Sequence, residues 1–197
     1  LQATRDALVS NYIVAIIIIY LLLVAMFSHW GYPLLIMTTI PFGVAGGILG
    51  LWLFNLGGAW LPLIGMSELH LSFDMIAMLG FLILMGTVVN NPILIVHQAM
   101  TNVRDRGMQA LDAVRHAVDA RLRPIAMSTL TTVFGLAPLV FLAGEGTELY
   151  RGVGVIVMFG LLGTAIVSLT FLPALTALVL KFSSSDQTRL MKRRQPD

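Results

Sequence analysis

No cysteine occurs in the 197 residues, which excludes disulfides and any thiolate-based metal or redox site. Charge is nearly as scarce. Asp, Glu, Lys and Arg make up 11% of the chain, against roughly 25% in a soluble domain of ordinary composition. From Ala7 to Ser67 there is no charged side chain at all, and similar runs cover Met75–Val103, Pro124–Gly144 and Gly152–Leu180. The histidines at 29, 70, 97 and 116 are dispersed and show no metal-ligand spacing. No phosphate-binding loop or nucleophile–base pair is present, so the sequence offers nothing to an enzyme reading and implies no cofactor or metal.

What is present in excess is apolar residue. Hydrophobic side chains make up 57% of the sequence and mean hydropathy is +0.88. Each charge-free run supplies the roughly 20 residues a spanning helix needs, and the first is long enough for two. The expected fold is an all-α integral membrane unit over residues 1–182. Its five spans are expected at about 9–27, 34–54, 72–100, 124–143 and 153–180, followed by a disordered cytoplasmic tail at 183–197. The apolar core after Arg5 and Asp6 is too long for a cleavable signal peptide. The lack of an initiator Met suggests a piece of something longer.

Local signals refine this outline. Trp30, Tyr32 and Trp60 suit the aromatic belt at a membrane–water interface. Gly43, Gly46, Gly47 and Gly50 form two interleaved small-xxx-small pairs, a pattern that lets helix backbones approach closely; we expect them to serve helix packing. Asp74 is expected to cap the start of the third span. Met108, Leu111, Val114, Val118 and Leu122 recur at helical spacing with charges between them, which predicts an amphipathic helix at about 107–122 on a membrane face. Its charged residues are read as the solvated side of the protein, with a nucleic-acid or partner-binding surface as the alternative.

The charges also predict topology. Residues 101–123 hold five Arg, and the chain from Lys181 onward holds five more Lys and Arg. Cytoplasmic loops concentrate such residues. Five spans then leave the amino terminus outside and the carboxyl terminus in the cytoplasm.

Polar groups inside the spans are few. Asn90 and Asn91 lie side by side in the third span, and Ser128, Thr129, Thr131 and Thr132 in the first half of the fourth. Adjacent helical residues point about 100° apart, so both amides need partners or a wet cavity. Pro92 lacks an N–H and frees the carbonyl of Val88, adding another polar group. Two readings stand for these residues: a polar track for protons or ions, or hydrogen-bonding glue between helices. Asn, Ser and Thr do not titrate, so these spans cannot run a proton cycle without acidic groups supplied from elsewhere.

The segments VVNNPILIVH, DAVRHAVDARLRPIAMSTLTTVFGLAPLV and LLGTAIVSLTFLPALTALVL resemble the last five spans of resistance-nodulation-division (RND) exporters, of the hydrophobe/amphiphile, acriflavine-resistance type. The resemblance covers residues 1–182, in order and with matching loop lengths. It implies the carboxyl-terminal part of a twelve-span, proton-driven multidrug exporter in a bacterial inner membrane. It further implies a homotrimer working with a periplasmic adaptor and an outer-membrane channel, with the first seven spans and the porter domains supplied by the rest of the subunit. The family's coupling site pairs two Asp with a Lys, an Arg and a Thr. Carried over, the Lys position is Asn90, the Arg position Arg121 and the Thr position Ser128, with Thr129 and Asn91 beside them. Asn90 departs from the pattern and removes a cation that would lower the pKa of the acidic pair. A non-transporting membrane module that packs with a partner, or a relative that moves lipids or assists protein export, are the alternatives.

Overall fold

The computed structural model describes residues 2–28, 30–58, 71, 74–142 and 147–193, with side chains described from 9 to 181. Trp60, the expected start of the third span at 72, the end of the fourth at 143 and the tail residues 194–197 lie outside the described residues. Seven helices are described: α1 (Gln2–Phe27), α2 (Gly31–Met37), α3 (Thr39–Gly58), α4 (Met75–Val88), α5 (Asn90–Arg106), α6 (Ala110–Phe141) and α7 (Thr147–Arg193). Among the described residues there is no strand. Five stretches are long and apolar enough to cross a membrane: Val9–Phe27, Gly31–Gly58, Met75–Arg106, Ala110–Phe141 and Thr147–Lys181.

Proline explains two breaks that uniform spans did not anticipate. The second span is divided at Thr38. Pro41 has no N–H for the carbonyl of Met37, and Thr38 turns its hydroxyl onto Leu35 O at 2.7 Å. The third span, expected as one helix over 72–100, is divided at Val89. There Pro92 frees the carbonyl of Val88, and the chain restarts as a helix on Asn90. Pro124 and Pro138 do not end α6. The expected amphipathic helix at 107–122 and the span from 124 are therefore one continuous helix, with the good helix formers Ala, Arg and Leu before Pro124 and Ala, Met and Leu after it. The last helix also runs to Arg193 rather than giving way to an irregular tail at 183. No Gly or Pro interrupts 181–193, and Pro196 is the first residue that would.

The helix ends are locally specified. Asp74 accepts the N–H of Ala77 at 2.8 Å and caps α4. Gly107, at φ +63°, ends α5 in the left-handed conformation, and the N–H of Met108 reaches back to Asn102 O at 3.3 Å. Asn55 pins residue 71 through both of its backbone groups, at 3.0 and 2.8 Å.

Helix α7 is the centre of the bundle and packs on α3, α4, α5 and α6. Against α3 the approach is nearly backbone to backbone. A Cβ added to Gly46 would lie 3.1 Å from Phe159 O and 3.4 Å from Gly160 Cα, and one on Gly163 would lie 3.3 Å from Gly46 Cα. Gly43 faces Val88 and Thr164, Gly47 faces Ile156 and Phe81, and Gly50 faces Phe159. α4 runs parallel to α7: Ala77 lies at Gly152, Gly80 at Val153, Leu84 at Gly160, and Val88 meets Thr164 at Gly43. By contrast, α1 leaves Val9, Ile13, Ile17, Leu21 and Leu22 exposed, as a lipid-facing helix would.

Candidate functional site

The break at Val89 places Asn90 and Asn91 in the first turn of α5, where backbone N–H groups lack helical partners. The two amides part company there. Asn90 is exposed on the bundle surface, in a stripe with Leu79, Ile83, Gly86, Thr87 and Leu94. Asn91 turns inward and is buried, 8% exposed.

The fourth span repeats the arrangement. Ser128 is exposed and donates to Ile125 O at 3.0 Å. Thr129 is buried at 7% exposure, and its Oγ1 has no hydrogen-bond partner. α5 and α6 are antiparallel, tied by Asn102 to Ala113 O at 3.0 Å and by Arg121 to Gln98 at 2.8 Å. Extending that register by two turns brings Asn90–Asn91 level with Ser128–Thr129, since both helices rise equally per residue. Each pair then has one member facing out and one facing into the bundle.

Arg121 lies below this level, half-buried, with its Nη2 donating to Gln98 Oε1 at 2.8 Å. Its Nε is buried without a partner. The guanidinium thus keeps donors to spare in a site partly shielded from water, where a charge-assisted bond is stronger than at the surface.

The buried hydroxyls sort into two groups. Three fully buried hydroxyls bond backbone carbonyls: Thr164 and Thr176 within α7 at 2.7 and 2.8 Å, and Thr39, at the start of α3, to Ile36 O at the end of α2 at 2.7 Å. Thr129 and Ser168 do not. Ser168 is one turn beyond Thr164 on α7, as Asn91 is one turn beyond Val88. The parallel register of α4–α5 with α7 therefore carries Asn91 to the height of Ser168. Buried hydroxyls without a protein partner are the usual lining of internal water sites.

The AcrB/AcrD/AcrF family profile matches residues 1–180. The chain belongs to that family. Among similar proteins, the multidrug resistance protein MdtC of Edwardsiella ictaluri is 34% identical over 172 residues, covering 87% of this chain and 15% of the relative. MdtC of Escherichia coli O1:K1 is 30% identical over 195 residues (99% and 17%), and that of Pectobacterium atrosepticum 31% over 196 residues (100% and 17%). The chain thus spans about a sixth of the length of these curated relatives. Family membership and five apolar helices together make this a multi-pass bacterial inner-membrane chain of the RND family.

Sequence reasoning singled out Asn90, Asn91, Arg121, Ser128 and Thr129 but passed over Gln98, Asn102 and Ser168. The signal for Gln98 and Asn102 was their i, i+4 spacing on the helix that carries the amide pair. Ser168 stands four residues after Thr164, a similar polar stripe on an otherwise apolar helix. Among the described residues no three His, Asp or Glu gather as a metal site would require.

Proposed function

We propose that this chain is the carboxyl-terminal five-span part of a twelve-span, proton-driven RND exporter of amphiphilic small molecules. In that reading Asn90, Asn91, Arg121, Ser128 and Thr129 shape and hydrate the proton path. Carboxylates from the preceding spans titrate. What supports it is the doubled pair, Asn90–Asn91 at the level of Ser128–Thr129 by the register of α5 on α6, with an exposed polar residue on each helix. An exposed amide and hydroxyl on an apolar surface suit contact with another polar helix better than contact with lipid. Arg121, with donors to spare, is the cation that would hold an acidic partner ionised.

The remaining features follow from family and charge. The Arg-rich segment from Arg104 to Arg123 faces the cytoplasm, so the amino terminus is periplasmic and the carboxyl terminus cytoplasmic. The working assembly is a homotrimer with a periplasmic adaptor and an outer-membrane channel.

The test replaces Asn90 and Asn91 together with Leu in the complete pump. Drug accumulation should rise to the level of a strain without the pump, while membrane content and assembly stay at wild-type values. Wild-type efflux from the double variant would reduce the pair to packing.

A further inference from the structure

Arg121 is held at the end of a hydrogen-bonded chain whose direction is fixed by its far end. That end is the backbone carbonyl of Ala113, which can only accept. Asn102, fully buried, donates its Nδ2 to this carbonyl at 3.0 Å. Its Oδ1 is then left to accept, and Gln98 Nε2 donates to it at 3.3 Å. The amide of Gln98 is thereby turned so that Oε1 faces α6, where it accepts from Arg121 Nη2 at 2.8 Å. The chain leaves α6 at Ala113, crosses to α5 and returns to α6 two turns further on. His116 Nδ1 lies 3.5 Å from Asn102 Nδ2, beside the far end. Asp119 and Arg123, the charged neighbours of Arg121 on α6, and Arg104 and Asp105 on α5 are exposed.

The acceptor supplied to Arg121 is neutral. A carboxylate at position 98 would hold the guanidinium as well but would also cancel its charge. A leucine would leave it unanchored. We infer that Gln98 is a positioning residue for the transport cycle: it fixes the Arg121 guanidinium while leaving its positive charge to act on an anionic group elsewhere in the path. The inference rests on the reading of Arg121 given above. Gln98 touches neither proton nor cargo and acts only through Arg121.

The experiment compares Gln98→Leu, Gln98→Glu and Arg121→Ala in the complete pump, reconstituted in proteoliposomes with an imposed pH gradient. Loss of a hydrogen bond to a charged group predicts about a tenfold fall in proton-coupled transport for Q98L at unchanged protein content. Q98E keeps the anchor, so it should recover most of the rate. Its pH profile should move to higher pH, because pairing Arg121 with a carboxylate removes the cation that favours ionised acids nearby and so raises their pKa. A purely structural role for Gln98 would move neither profile nor rescue. Gln98→Ala, which adds no bulk, is read in the same way if the leucine variant fails to assemble. Wild-type transport by R121A would overturn the reading of Arg121 itself. Loss of transport in R121A, with wild-type rate and pH profile in Q98L and Q98E, would overturn the role of Gln98 alone.

Discussion

The two sides of the bundle are built on opposite principles. Between α3 and α7 the contact is glycine on glycine, Gly46 against Gly160 and Gly163, with the Thr164 hydroxyl turned onto Gly160 O of its own helix and that of Thr39 onto Ile36 O of α2. Among the described residues no side-chain hydrogen bond joins α3 to α7, and the two helices are held by close van der Waals contact. Between α5 and α6 the contact is polar. Asn102 bonds the backbone of α6, Arg121 bonds Gln98, and Thr129 is buried with its hydroxyl unused. A close-packed interface has one good arrangement. A chain of amides and a guanidinium can be redrawn by a change of partner or by a water. The difference suggests a rigid half that carries the fold and an adjustable half that carries the chemistry.

The rigid side should be the more sensitive to substitution. Gly46→Leu should have the largest effect on assembly, because the atoms in its way are the backbone of α7 at Phe159 and Gly160, which no rotamer change can move. Overpacking of this kind typically costs about 1–3 kcal/mol and more where the backbone must shift. The readout is loss of folded protein from the membrane and a lower midpoint in a denaturant titration. Gly86→Leu is the control on the other side of the molecule: nothing lies within 4 Å of a Cβ there, so folded protein should be retained. Equal tolerance at both positions would show that α3 and α7 are not held by close approach.

Much of the rigid half was legible in the sequence. Span number follows from the charge-free runs, and the spacing of Gly43, Gly46, Gly47 and Gly50 marks a face that in the structure meets α7 and α4. What could not be read was where proline would act. Pro41 and Pro92 divide their spans, whereas Pro124, Pro138 and Pro173 sit inside continuous helices. The outcome depends on whether neighbouring helices and local hydrogen bonds re-satisfy the freed carbonyl, which is tertiary information. The adjustable half was legible only in part. Asn90 and Asn91 stand out because amides are rare in apolar runs. Which of the two turns inward depends on how α5 packs in the bundle, which the sequence does not carry. Gln98 and Asn102 fall in a mixed segment near the helix end, where polar residues are ordinary, and nothing in composition distinguishes them from a solvated face.

Asn102→Ala sharpens the polar side at smaller cost. Asn102 is fully buried and bridges α5 to the carbonyl of Ala113. Its removal leaves that carbonyl without its cross-helix donor and takes away the acceptor for Gln98. The expected destabilisation is about 1–3 kcal/mol. It should appear as faster proteolysis or hydrogen exchange at the turn around Gly107, with the α3–α7 contact protected as before. Uniform loss of protection throughout the bundle would mean that the two halves unfold as one unit.

The smallest effect separates the two kinds of buried hydroxyl. Thr164→Val removes a 2.7 Å bond to Gly160 O and should cost about 0.5–1.5 kcal/mol. Thr129→Val removes a hydroxyl that has no protein partner. In a dry contact that exchange relieves an unmade bond, and the variant should be as stable as the parent or more so. In a hydrated path it deletes a wall of a water site, so stability falls and proton-coupled transport falls with it. The polar reading of α5 and α6 predicts the second result: a denaturation midpoint shifted down as far as that of Thr164→Val, together with slower transport. A raised midpoint with full transport would make Thr129 a packing residue and remove it from the adjustable side of the bundle.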